Sequence, residues 1–376
     1  MLSIVKGPYL QWPTRESIAV MWETSCPSSG QVVWCETEPV HSGLGGRLRT
    51  RPDTARTVAD EEPTCIHCLT LTGLAPGAAY HYRVRSSGPG GEVVESEEYP
   101  LQAAPAEDTP FSFAVTSETG GYGDVEIDRR LFGQIGRFRP DFLLMVGDAV
   151  QSGSRYEDWD RYFFGPGRKL LATTPFYLCL GNHEENASWF YRFTAYPEPH
   201  NYYAFDYGNA HFTALDCTAL VEYRDGRPVP VEPFGPGCAQ YEFLLADLER
   251  CSSTWKFVFF HYPPYVSADY QVEEMRAVCP VLEQYGVDVV YNSHTIVYER
   301  SHPLRAGRLD PEHGIVYVVA GGAGAMPGWF RPKRAWHTAQ ALAVPQFVQV
   351  AVAGPTMEMR AFDEHGHRFD SLLLRK

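Results

Sequence analysis

The sequence predicts an all-β sandwich over residues 1–104 joined to an α/β layered sandwich over residues 105–376, and three observations carry that reading. At 376 residues the chain has room for two cores. Its first hundred residues alternate apolar and polar positions in short runs broken by turns, the period of half-buried strands. From residue 111 the pattern changes to buried apolar runs separated by amphipathic stretches, the order of a layered α/β domain.

Taken in order, Ser17-Ile18-Ala19-Val20-Met21-Trp22 and Gly30-Gln31-Val32-Val33-Trp34 are alternating strands. Cys68-Leu69-Thr70-Leu71 is another, and the turn Leu74-Ala75-Pro76-Gly77 leads into Tyr80-His81-Tyr82-Arg83-Val84. About seven strands at this spacing make a sandwich, with Trp22 and Tyr82 as core anchors rather than a carbohydrate-binding face. The polar, Pro- and Ala-rich stretch 101–108 is the linker. Beyond it, 111–117 is a buried strand, and Ile127, Leu131, Ile135 and Phe138 share one face of a helix. Strands at 141–147 and 175–179, a helix at 240–249, a strand at 256–261, a helix ending near Gly286 and a strand at 287–291 continue the alternation. Strands at 315–320, 347–352 and 356–362 close it.

Composition narrows the function. The formal net charge is −14, so a phosphate backbone or an anionic membrane surface is repelled at long range, and neither nucleic acid nor membrane is an expected partner. No apolar run is long enough to span a bilayer, and the first residues lack a signal-peptide pattern, although a removed leader stays open. Nine cysteines, an odd number scattered over both halves, do not form a disulfide framework. Cys65-Ile66-His67-Cys68 sits in a strand and reads as buried free thiols rather than a zinc site. A soluble protein of a reducing, cytoplasmic compartment is the expectation.

Ligand-type residues recur where strands end. Asp148 follows one apolar run, Asn182 and His183 a second, His261 a third and His294 a fourth. Open α/β sheets bind ligands at the carboxyl ends of their strands. One carboxylate, one amide oxygen and two or three imidazoles form a mixed set suited to Zn, Mn or Fe.

Gly147-Asp148, Gly181-Asn182-His183-Glu184, His261-Tyr262-Pro263-Pro264 and the run from His294 to Arg300 resemble, in order, the motifs of calcineurin-like metallophosphoesterases. The leading sandwich resembles a fibronectin type III domain, and the whole layout is similar to the purple acid phosphatases. The resemblance implies an αββα metallophosphoesterase fold and a small phosphorylated substrate. It implies two metals that share a bridging carboxylate and activate water against phosphorus, with a histidine protonating the leaving oxygen. On that pattern Asp148 is the bridge, Asn182, His261 and His294 complete one metal site, and His183 is the proton donor.

The other metal site departs from the pattern. Where the family has Gly-Asp-x-Gly or Asp-x-His, this chain has Ser117-Glu118-Thr119-Gly120. The tyrosine expected three places after the bridge is Gln151, and the closing Gly-His-x-His is Ser293-His294-Thr295-Ile296. Glu118 can still ligate, but the expectation is one divalent or trivalent metal (Zn, Mn or Fe), a doubtful second one, and weak phosphoesterase activity. Because the replacements cluster, the cup is also readable as one remodelled, by evolution or engineering, for another ligand or reaction. In that case Ser117 or Ser293 could be a nucleophile, with His294, His183 or His261 as base and Glu118 or Asp148 as orienter. A third possibility is a phosphate-binding protein without turnover. The basic, aromatic stretch 329–337 is a candidate lid, with Arg331 and Arg334 able to hold phosphate oxygens.

Overall fold

The computed structural model describes residues 1–40, 47–120, 124–330 and 333–376. Seven strands build the first sheet: β1 (Ile4–Gln11), β2 (Ser17–Val40), β3 (Arg47–Thr50), β4 (Arg56–Thr72), β5 (Ala79–Ser87), β6 (Val93–Glu95) and β7 (Tyr99–Gln102). Its organiser is β2, whose 24 residues pair with β1, β3, β4 and β5, changing register between Glu23 and Gly30. The indole of Trp22 is fully buried, stacks on His67 at 4.5 Å and donates to Ser86 Oγ at 2.9 Å, so the expected core anchor is one. The cysteine pair is free, as expected, but not buried: Cys65 is half-buried and Cys68 exposed. Alternation along β4 turns His67 and Leu69 inward, which puts Cys68 on the outer face.

The second unit opens with β8 (Phe111–Thr116), α1 (Val125–Phe138), β9 (Phe142–Met145), α2 (Tyr156–Asp158), α3 (Gly165–Leu171), β10 (Phe176–Leu178) and α4 (Ser188–Phe193). It continues with β11 (Tyr203–Tyr207), β12 (Ala210–Ala214), the hairpin β13 (Val221–Arg224) and β14 (Arg227–Pro230), α5 (Ala239–Arg250), β15 (Trp255–Phe259), α6 (Cys279–Gln284), β16 (Val289–Asn292) and β17 (Tyr298–Ser301). After a small hairpin, β18 (Leu304–Arg305) with β19 (Arg308–Leu309), come β20 (Val316–Ala320), β21 (Thr338–Leu342), β22 (Gln346–Ala353), β23 (Thr356–Asp363) and β24 (Arg368–Arg375). One sheet runs β10-β9-β8-β22-β23-β24 and the other β11-β12-β15-β16-β20-β17-β21. The strands that end at the site, β8, β9, β10, β15 and β16, lie in parallel pairs, so their carboxyl ends come out on one side.

Period-2 alternation sorts the layers. Phe257, Phe259, Val289 and Tyr291 face the core between the sheets, whereas Val258, Val290 and Tyr317 pack with Leu244 and Leu248 of α5 on the outer face. On the other outer face α1 buries Leu131, Phe132 and Ile135, with its start capped by Asp124 accepting from Glu126 N at 2.9 Å. The inter-sheet core explains the aromatic share of the sequence. Phe113 lies 5.1 Å from Phe142, 5.2 Å from Phe212 and 5.4 Å from Phe257, ring centre to ring centre.

The two units are tightly joined. Gln11 Nε2 donates to Phe176 O of β10 at 3.1 Å, Tyr9 OH to Phe193 O at 3.1 Å, and Tyr82 OH to Ala172 O at 2.8 Å. Trp12 sets its ring edge-on to Tyr177 and Tyr203. Lys6 pairs with Glu23 at 2.9 Å, both largely buried, and Glu23 also accepts from Tyr156 OH at 2.9 Å. Among the described residues no helix is long and apolar enough to cross a membrane.

Candidate metal centre

Several strands end short of the apolar runs that define them, because the residues after them leave the ladder. Glu118, Asp148 and His294 all adopt left-handed backbone, with φ of 61°, 53° and 64°. Such strain at three strand ends of one rim turns their side chains into a common cup.

Asp148 is held at two atoms by the loop after β10. Its Oδ1 accepts from His183 N at 2.9 Å, and its own N donates to Glu184 Oε2 at 2.8 Å. Glu184, fully buried, also accepts from Ala149 N and Gly181 N at 2.7 Å each, which staples the β9 loop to the β10 loop. Gly181 is obligatory here, since a Cβ would stand 2.2 Å from Asp148 Oδ1. Glu184 belongs to the Gly-Asn-His-Glu motif, yet nothing in the sequence gives it this fastening role.

Asp148, His261 and His294 offer ligand atoms that all lie within 4.8 Å of one another. His261 Nδ1 donates to Val146 O at 2.8 Å, which leaves Nε2 as the nitrogen facing the cup. That Nε2 stands 2.9 Å from Asp148 Oδ2 and 3.8 Å from Glu118 Oε1. Asn182 Oδ1 is buried and without a hydrogen-bond partner among the described residues. A buried amide oxygen left unsatisfied beside a carboxylate and an imidazole is costly unless a cation completes it. The oxygen and nitrogen donors fit zinc, manganese or iron.

Charge supports the same picture. Burial would raise the Asp148 carboxyl, but His261, His183 and His294 pull it down to about 2. Burial would lower His261, but Asp148 draws it up to about 9, so a proton takes the cation's place when none is bound. His294 is pushed down to about 3 by burial and by His261, and stays a neutral donor. Its Nε2 lies 2.7 Å from Tyr223 OH.

On the opposite side of the cup a hydrogen-bonded relay engages one Glu118 oxygen. Glu118 Oε1 lies 2.6 Å from Ser293 Oγ and accepts from His294 N at 2.8 Å. Ser293 Oγ lies 2.6 Å from Ser117 Oγ, which reaches Ala320 O at 2.8 Å. These are three oxygen-to-oxygen contacts, and the two hydroxyls supply only two protons. The third fits a protonated Glu118 carboxyl, and burial and the Asp148 charge push that group up to about 7. Both serines are fully buried in this relay, and among the described residues neither hydroxyl is hydrogen-bonded to an imidazole nitrogen, the contact a serine nucleophile needs.

His183 is half-buried, and its Nδ1 lies 2.7 Å from Gln151 O, so the other ring nitrogen is the one able to pass a proton. Beside Asn182 and His294 opens a cavity of about 480 Å³, walled by Tyr223, Tyr262 and Tyr270. No motif marks Tyr223 or Tyr270, and Tyr262, though inside the His261–Pro264 motif, has no role assigned by it; Tyr223 comes from the β13–β14 hairpin. Arg334 stacks over Phe330 at 5.2 Å and is absent from the cavity's walls, and Arg331 lies outside the described residues.

Comparison with known proteins agrees. The calcineurin-like phosphoesterase model matches residues 111–298, and the purple acid phosphatase N-terminal domain model matches residues 5–102. Purple acid phosphatase 18 of Arabidopsis thaliana is 27% identical over 352 residues, covering 88% of this chain and 73% of its own. A probable inactive purple acid phosphatase 1 of the same plant is 25% identical, covering 72% of this chain and 51% of its own. Purple acid phosphatase 21, also from Arabidopsis thaliana, is 29% identical over 70% of this chain, which spans 59% of that relative. In structure, a purple acid phosphatase from yellow lupin (Lupinus luteus) seeds superposes with a TM-score of 0.78 at 18% identity, over 98% of this chain and 74% of that one. PhoD superposes with a TM-score of 0.70 at 13% identity, over 97% and 91%. The chain therefore belongs to the calcineurin-like phosphoesterase family and carries the N-terminal domain of the purple acid phosphatases.

Proposed function

We propose that this chain, divided into domains at residues 104 and 105, is a phosphoester hydrolase of the purple acid phosphatase type that works slowly with one metal. One observation carries the reading: the two halves of the cup differ in what they leave unsatisfied. On one side Asn182 Oδ1 has no hydrogen-bond partner among the described residues and His261 Nε2 faces the Asp148 carboxylate, and on the other Glu118, Ser293, Ser117 and Ala320 O join in one relay.

Asp148, Asn182, His261 and His294 would hold zinc, manganese or iron, which when bound supplies a Lewis acid for a phosphoryl oxygen. Asp148 Oδ1 anchors the His183 amide, and Gln151 O fixes the tautomer of its ring. His183 is then the residue that passes a proton to the leaving oxygen. Glu184 keeps the two loops in register, and Glu118 holds the His294 amide in place of ligating. The acidic balance of the chain favours a small phosphorylated molecule over nucleic acid.

The test is elemental analysis together with aryl phosphate turnover in the parent and in His261→Ala. One metal per chain, with slow turnover abolished in the variant, supports the reading. Two metals per chain with efficient turnover would overturn the one-metal assignment. A second reading, phosphate binding without hydrolysis, draws on the Glu118 relay and on relatives named as probably inactive. Calorimetry showing phosphate binding with no turnover under any of the three metals would select it.

A further inference from the structure

We infer that the cavity beside His294 receives one ester arm of a phosphodiester, an arm bearing an aromatic ring, in preference to a phosphomonoester; the inference rests on the hydrolase reading above. Two features of the walls lead to it.

The first is charge. Among the described residues the walls contain no lysine or arginine, but they do contain Glu185 and Glu222. Glu185 is kept ionised: burial would raise its carboxyl, but Ser154, donating through N at 3.2 Å and Oγ at 2.6 Å, helps hold it below its usual range. Glu222 has Arg224 as its neighbour, an exposed side chain that does not line the cavity. A phosphodiester carries one negative charge and a phosphomonoester near pH 8 carries two, so walls of this charge repel the diester less. The same protein charge of −14 disfavours polyanions at long range.

The second feature is the aromatic lining. Rings of Tyr223, Tyr262 and Tyr270 stand 5.2, 4.7 and 5.6 Å from the His294 ring. Tyr262 is buried, but Tyr270 is 62% exposed and held out by a left-handed backbone with φ of 54°. An exposed ring fixed at the mouth of a cavity offers a face for a planar group.

In the reaction, water adds to phosphorus and the bond from phosphorus to the leaving oxygen breaks. A proton goes to that oxygen, and the products are a phosphomonoester and an alcohol or phenol. The second negative charge then appears on a product that the walls repel, which favours its release.

The experiment compares two phosphonates at pH 8 by calorimetry on the zinc-loaded chain: the monoanionic methyl phenylphosphonate and the dianionic phenylphosphonate. The monoanion should bind at least fivefold more tightly, and Tyr270→Ala should weaken it about three- to tenfold. Glu185→Gln should narrow the gap by raising affinity for the dianion. Equal or tighter binding of the dianion, no binding of either, or indifference to Tyr270→Ala would overturn the inference. Turnover of bis(4-nitrophenyl) phosphate against 4-nitrophenyl phosphate separates the two levels. Faster monoester turnover keeps the hydrolase reading and removes this one. Preferred monoanion binding with neither ester hydrolysed keeps the occupant and removes the hydrolase.

Discussion

Replacing Glu118 by glutamine separates a hydrogen-bonding acid from a metal ligand. In the parent the carboxyl is 2% exposed, and its Oε1 serves both Ser293 Oγ and the His294 amide. If it is neutral, an amide oxygen in that place still accepts from His294 N and from the Ser293 hydroxyl, which leaves the Ser293–Ser117 contact one proton short, so the fold loses about 1 kcal/mol below pH 5. At higher pH the sign reverses. An acid raised from 4.5 to about 7 on folding costs nothing while both states are protonated, and it subtracts stability as pH climbs from the unfolded to the folded value. With ~1.4 kcal/mol per unit and some relief from its neighbours, that loss comes to about 2–3 kcal/mol above pH 7, and glutamine avoids it. Urea denaturation in the presence of a chelator, at pH 5 and pH 8, reads both ends. Glu118→Gln should be close to the parent at pH 5 and more stable at pH 8, with metal content unchanged at one per chain. A variant that loses its metal, or is less stable than the parent at pH 8, would refute the relay and restore Glu118 as a ligand.

Other perturbations have equally definite outcomes. His261→Ala removes a donor whose Nε2 faces Asp148 Oδ2 at 2.9 Å, so zinc affinity measured by competition with a chelator should fall by more than ~100-fold. Tyr223→Phe removes the hydroxyl 2.7 Å from His294 Nε2, and the same assay should register a loss of about 10- to 100-fold with little change in stability. His211 lies between Asp206 at 2.7 Å and Asp247 at 2.9 Å; burial would lower it, but these two carboxylates raise it to about 10. Its contribution, on the order of 2–4 kcal/mol, is fully present below pH 6.5 and lost as pH rises to 10, so His211→Asn should flatten that part of the stability profile. Glu23→Gln leaves the buried Lys6 ammonium unpaired and should cost about 3–5 kcal/mol, read from the urea midpoint.

The legible part of this protein was whatever has a period or a motif. Alternation around Trp22 and Tyr82 marked the sandwich, and the apolar runs before Asp148, Asn182, His261 and His294 marked the strands that carry the cup. The strands before Glu118 and Asp148 stop one and two residues short of the expected ends at 117 and 147, beside left-handed backbone at Glu118, Gly147 and Asp148, whereas β16 runs one residue past the expected end at 291. The loss of ligands at Gln151 and Ile296 could be read directly, but what replaces them could not. The contact between Ser117 and Ser293 joins residues 176 apart in sequence and depends on two loops meeting. Two of the cavity's tyrosines, Tyr223 and Tyr270, were invisible for the same reason: Tyr223 rides on a hairpin with no chemical signature, and only the folded chain lays it over His294. Likewise the exposure of Cys68 follows from which face of β4 meets the core, and the alternation left that phase open.

The contact of Trp12 and Gln11 with β10 makes the first hundred residues the back wall of a strand whose far end carries Asn182 and His183. Cation occupancy and the integrity of the leading sandwich are thereby coupled: whatever loosens one is felt by the other. A chain shortened to begin at residue 105 would expose the edges of Tyr177 and Tyr203 to water and lose the clamp on Phe176 O. Heating the intact chain should therefore melt both units in one transition, displaced upward as a whole when zinc is added.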